Sequence, residues 1–131
     1  YGQKASTAAY ELGLPFTLKI VDHADAALMA EFSRLSPFGK MPVLVDYQGR
    51  TVFESSIVIE WMDRRAGGNR LIPADPDAAL ETRLIDRIVD TYVGGPMNRI
   101  VFNRLGRAGT PNPVAMEQDE AELARAWDWL E

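Results

Sequence analysis

Apolar and polar positions follow two periods along this chain, and the change of period marks its elements. Residues 4–12 are rich in Ala and end at Gly13, which suits the left-handed position after a helix. Leu14-Pro15 stops that helix, and 17–21 (Thr-Leu-Lys-Ile-Val) alternates with β-branched residues, predicting a strand. Leu28, Met29, Phe32 and Leu35 recur at helical spacing behind Asp25, which predicts a helix over 26–35 with Asp25 as its N-cap. Val43-Leu44-Val45 reads as a short buried strand, Tyr47-Gln48-Gly49-Arg50 as a turn and Thr51-Val52-Phe53 as the returning arm of a hairpin. Ser55 or Ser56 can then cap a helix that runs to about Arg65 on Ile57, Val58, Trp61 and Met62 and ends at Gly67-Gly68.

From Pro73 onward only the helical period remains. Asp75-Pro76 is a cap followed by a proline suited to the first helical position. Leu80, Leu84, Ile88 and Tyr92 form one row, with Ile85, Val89 and Val93 beside it. Gly94-Gly95-Pro96 should kink or interrupt the helix, which resumes through Met97, Ile100, Val101 and Leu105. After a loop over 106–113, Asn112-Pro113 repeats the start signal for a helix reaching Glu131. Two prolines within residues 73–76 mark the boundary between an α/β part, 1–73, and an all-helical part, 74–131. Both parts read as incomplete, because three strands make a thin α/β unit and the helical faces outnumber the helices that could cover them.

Composition narrows the chemistry. Of 131 residues, 47% are hydrophobic and 25% charged, values of an ordinary globular domain. The absence of cysteine removes disulfides, thiolate metal sites and a cysteine nucleophile within these residues. A single histidine, His23, leaves no histidine-rich metal site and reads as an exposed loop residue. Net charge is −5, which argues against nucleic acid as the partner. The charge is uneven: eight basic and eight acidic residues in 1–73, against six and eleven in 74–131. No apolar run approaches the roughly 18 residues of a membrane helix, and no signal-peptide pattern is visible. With no cysteine in these residues, a cytoplasmic protein is expected.

Two stretches carry candidate chemistry. In Lys40-Met41-Pro42-Val43, a proline introduces a buried strand from a tight loop and is a candidate for a cis bond. Met41 ahead of it is pushed to extended backbone. Its N–H and C=O could then pair with an extended peptide, although an ordinary loop proline is the commoner case. Glu54-Ser55-Ser56 lies where a strand ends and a helix begins. The helix start and a serine hydroxyl suit a carboxylate, and Glu54 suits an ammonium group, although plain serine capping is the simpler role for the motif alone. A hairpin of about twelve residues joins the two stretches and brings them to one side. Together they suit a short peptide with a free amino-acid end.

Ser36-Pro37-Phe38-Gly39-Lys40-Met41-Pro42-Val43-Leu44, then Glu54-Ser55 and the run from Ile57 to Trp61, resemble the glutathione-site signature of glutathione S-transferases. Tyr1-Gly2-Gln3-Lys4 and Glu11-Leu12-Gly13-Leu14-Pro15-Phe16 resemble that family's first helix and the entry to its second strand. The resemblance implies a thioredoxin-like N-terminal domain (βαβαββα, strand order 2-1-3-4) with its first strand upstream of Tyr1, followed by a truncated all-α domain. It implies that Met41 pairs with the cysteinyl backbone of glutathione, Glu54 and Ser55 hold the γ-glutamyl end, and Lys40 lies near the glycyl carboxylate. It further implies a homodimer that conjugates the glutathione thiolate to a small hydrophobic electrophile, with no metal. The Ser, Cys or Tyr that activates the thiol is expected just upstream of Tyr1, with Tyr1 and Ser6 as outside candidates. Tyr92, Met97 and Val101 could line the electrophile pocket, but core packing is the expected role at that spacing. A non-catalytic interaction module is the alternative, as is a glutathione-dependent isomerase, dehalogenase or thiol–disulfide relative. The residues before Tyr1 discriminate among these.

Overall fold

The computed structural model describes residues 1–107 and 109–131. Ala108, inside the loop expected at 106–113, lies outside the described residues. The chain divides into two compact units, Tyr1–Pro76 and Asp77–Glu131.

The first unit contains α1 (Gly2–Leu12), α2 (Ala26–Leu35), β1 (Val43–Val45), β2 (Thr51–Phe53) and α3 (Ser55–Arg65). Gly13 takes the left-handed conformation expected of it (φ 67°), and the amides of Gly13 and Leu14 donate to the carbonyls of Tyr10 and Ala9. Ala5, Ala8, Ala9 and Leu12 of α1 bury against Val58 and Met62 of α3, with Leu44 and Val52 of the hairpin packed around them. Three of the four α1 residues on this face are alanines, so little side chain stands between α1 and α3 there. Asp25 caps α2 as expected, its Oδ1 accepting from the amides of Ala27 (2.9 Å) and Leu28 (3.1 Å).

The hairpin is antiparallel with Val43 opposite Phe53, Leu44 opposite Val52 and Val45 opposite Thr51. Its turn is built on Asp46, whose Oδ1 accepts from the amides of Gln48 and Arg50 and whose Oδ2 accepts from the Arg50 guanidinium. Burial would raise the Asp46 pKa; the hydrogen bonds and positive charge of Arg50 and the Gln48 amide outweigh it and hold the carboxyl below its usual range. Gly49 closes the turn at φ 77°.

One expected element is absent. Residues 17–21 form no strand, and the sheet of the described residues has two strands only, β1 and β2. Leu18 and Ile20 stand well exposed. Alternation favours an extended backbone, but a strand also needs a neighbour to supply its ladder, and no described strand pairs with this segment. Of the strand order 2-1-3-4, the described residues hold the adjacent hairpin pair alone.

The second unit is helical: α4 (Pro76–Ile88), a π-helical segment (Val89–Gly94), α5 (Gly95–Arg104) and α6 (Pro113–Leu130). The interruption expected at Gly94-Gly95-Pro96 is this π turn, which begins earlier, at Val89. Asn112 caps α6 through Val114 and Ala115, with Pro113 as the first helical residue. Asn103, buried near the end of α5, donates to the Asn112 carbonyl and accepts from the Asn112 amide. Arg99 joins α5 to α6 through Asp119 (2.7 Å) and Glu122 (2.6 Å). No described helix is long and apolar enough to cross a membrane.

Candidate functional site

The site begins with the loop that carries the chain from α2 into β1. Ser36 ends α2 with its amide on the Phe32 carbonyl. It is buried, and its hydroxyl does two jobs: it accepts from the Lys40 amide and donates to the Lys40 carbonyl, both at 2.9 Å. Gly39 supplies the positive φ (61°) that this tight return needs. The loop delivers Lys40 and Met41 to the surface, both exposed, with Pro42 half-buried behind them. The Met41–Pro42 bond is cis. Among the described residues, no hydrogen bond engages the N–H or C=O of Met41.

The ladder then sets the second half of the site beside the first. Val43 faces Phe53, so Pro42, just before β1, and Glu54, just after β2, lie at the same open end of the hairpin. Phe38 and Phe53 meet edge to face at that end, with ring centroids 5.7 Å apart. The sequence expectation that the two stretches share one side therefore holds in the geometry.

Glu54 departs from what the sequence suggested. Ser55 and Ser56 were the expected caps, yet Ser55 is already the first residue of α3 and Glu54 occupies the cap position, without a side-chain capping bond. Glu54 has φ 68° and ψ 117°, a backbone region costly for any residue with a side chain. This turn lets the strand pass into the helix within one residue. It leaves the Glu54 side chain exposed and buries Ser55 at the helix start, where amide groups point outward. Lys4 of α1 reaches the same place, its Nζ 3.4 Å from the Ser56 hydroxyl.

Two polar groups that brace this framework escaped the sequence reading. Asp63, in the last turn of α3 and 2% exposed, accepts from the amides of Arg70 (3.1 Å), Leu71 (3.0 Å) and Ile72 (3.3 Å). Burial would raise its pKa; the amides of Leu71, Ile72, Arg70 and Asn69 reverse that and hold it below the ordinary carboxylate range. Arg70 in turn donates to the carbonyls of Leu12 and Glu11, fastening the end of α1.

Other candidates fall elsewhere. Tyr1 is half exposed, and the Ser6 hydroxyl donates to the Gly2 carbonyl within α1. His23 is exposed, as expected. The expected core packing of Tyr92, Met97 and Val101 does not occur in the described structure: they are 51%, 50% and 44% exposed. The buried face falls instead on Val93, Pro96, Ile100 and Asn103, spaced three and four apart, and Met97 and Val101 each stand one position beyond it.

Residues 1–65 match the family model for the glutathione S-transferase N-terminal domain. The chain belongs to the glutathione S-transferase family. Glutathione S-transferase 3 of Schizosaccharomyces pombe is 35% identical over 69 residues, covering 53% of this chain and 28% of that protein. Glutathione S-transferase 3 of Zea mays is 30% identical over 135 residues, covering 98% of this chain and 60% of the relative. A glutathione S-transferase of Methylobacillus flagellatus, solved with GSH bound, superposes with a TM-score of 0.84 at 23% identity, over 98% of this chain and 62% of that one. This chain thus spans less than two thirds of each. The architecture is the family's: a thioredoxin-like N-terminal domain with a small sheet, followed by a helical domain.

Proposed function

We propose that this chain is the glutathione-binding part of a glutathione transferase, which conjugates the tripeptide's thiolate to a small hydrophobic electrophile. The observation that carries the proposal is the register of the hairpin, which sets the open backbone of Met41 beside the start of α3. An extended peptide can pair with Met41 through its cysteinyl backbone, as a strand adds to an edge. Its γ-glutamyl end then reaches Glu54, for the ammonium group, and Ser55 with the α3 amides, for the carboxylate. Lys40, exposed one residue earlier, suits the glycyl carboxylate. Family membership and a structural neighbour with GSH bound support the same ligand.

A free thiol titrates near 8.5 and is mostly protonated at neutral pH. The chemistry therefore needs a donor that favours the thiolate, and in this proposal a Ser, Cys or Tyr upstream of Tyr1 supplies it. The residues of this chain bind and orient; the thiolate attacks the electrophile and displaces its leaving group or adds to it. A cytoplasmic homodimer is part of the proposal, on the family's pattern.

Calorimetric titration of the protein with glutathione tests it, with Ser55→Ala as the comparison. Loss of a hydrogen bond to a charged group costs about 1.5–3 kcal/mol, so Ser55→Ala should bind at least about tenfold more weakly. Equal affinity in the two proteins, or no binding by either, contradicts the proposal.

A further inference from the structure

We propose that Ser36 is a positioning residue for this site: its hydroxyl sets the direction in which Met41 presents its N–H to the bound thiol tripeptide. The proposal rests on the glutathione-binding reading above and adds to it a residue that touches no ligand.

The geometry is that of one rigid peptide unit. The Lys40 carbonyl and the Met41 N–H belong to the same planar group and point in opposite directions across it. The Ser36 hydroxyl donates to that carbonyl at 2.9 Å and accepts from the Lys40 amide at 2.9 Å. A single oxygen therefore grips Lys40 on both sides and fixes the rotation of the peptide unit that follows. With the carbonyl turned to Ser36, the Met41 N–H is aimed away from it, and among the described residues it meets no acceptor.

Ser36 is itself held at every polar atom. Its amide donates to Phe32 (2.8 Å), its carbonyl accepts from Gly39 (3.2 Å), and its side chain is enclosed at 4% exposure. The hydroxyl thus has little freedom to turn elsewhere, and the end of α2 acts as the fixed post for the loop. Without it, nothing described holds the Lys40 carbonyl, and the peptide unit can swivel. Binding would then have to stop that rotation, which weakens affinity without removing any ligand contact.

The test pairs variants with ligands. Wild type, Ser36→Ala, Ser36→Cys and Ser36→Thr are titrated with glutathione and with an analogue whose Cys–Gly amide is an ester, a weaker acceptor for the Met41 N–H. Wild type should prefer glutathione several-fold. Ser36→Ala should bind glutathione about tenfold more weakly and lose most of that preference, the mark of coupling between the hydroxyl and the Met41 N–H. Ser36→Thr, which keeps the hydroxyl, should restore both. Ser36→Cys fills the same space with a poor donor and should behave like Ser36→Ala, so it carries the test if the alanine variant does not fold. An unchanged affinity in Ser36→Ala or Ser36→Cys, an equal loss for both ligands, or no preference in wild type overturns the proposal. A wild-type protein that binds no glutathione at all is a different result, and defeats the binding reading itself.

Discussion

Asp63 sits at the end of α3 with its carboxylate turned back on the chain that follows, where it accepts from three amides. Its folded pKa lies below the unfolded value, so the unfolded chain binds more protons across that interval and stability rises with pH through it. The contribution is complete above the unfolded value of about 3.9 and fades as pH falls through the lower folded value. Acid unfolding followed by circular dichroism should show Asp63→Asn less stable than wild type at pH 7, with the gap narrowing below about pH 4. Glu54 carries the opposite kind of cost. Its backbone strain is of order 1–3 kcal/mol, and Glu54→Gly relieves it while losing up to about 1 kcal/mol to added freedom in the unfolded chain. Denaturant titration should therefore find Glu54→Gly at least as stable as wild type, while its glutathione affinity falls because the partner for the ammonium group is gone.

At the scale of elements, what could be read ahead was what is local. The Asp25 cap, the Gly13 stop, the Asn112-Pro113 start and the Gly49 turn each depend on a few adjacent residues, and each stands where the pattern put it. Elements that need a distant partner were not legible. The alternation at 17–21 says nothing about whether a ladder lies beside it, and Asn103 looks like any polar residue on a helix until the loop returns to it. That return gives a test by thermal unfolding. Asn112→Ala should cost about 1 kcal/mol, the worth of a cap. Asn103→Leu should cost more, because it strands the Asn112 N–H and C=O that Asn103 satisfies now.

For the whole molecule, the family signature at 36–61 was visible because its parts are short and ordered: a Gly-Lys-Met-Pro loop, a hairpin and a Glu-Ser helix start. Their convergence followed from hairpin length alone, since a two-stranded ladder must return the chain to where it began. The brace beneath was hidden: the bonds of Asp63 to residues 70–72 and of Arg70 to the end of α1 depend on where the chain returns after α3, and the Ser36–Lys40 bonds, though local, belong to a serine that the residue pattern does not set apart. The central claim is that the Met41 loop and the Glu54-Ser55 helix start grip one ligand together, and amide chemical shifts followed during a glutathione titration test it most directly. The Met41 and Ser55 amides should move together and fit a single dissociation constant. Movement of one without the other, or of neither, would contradict it.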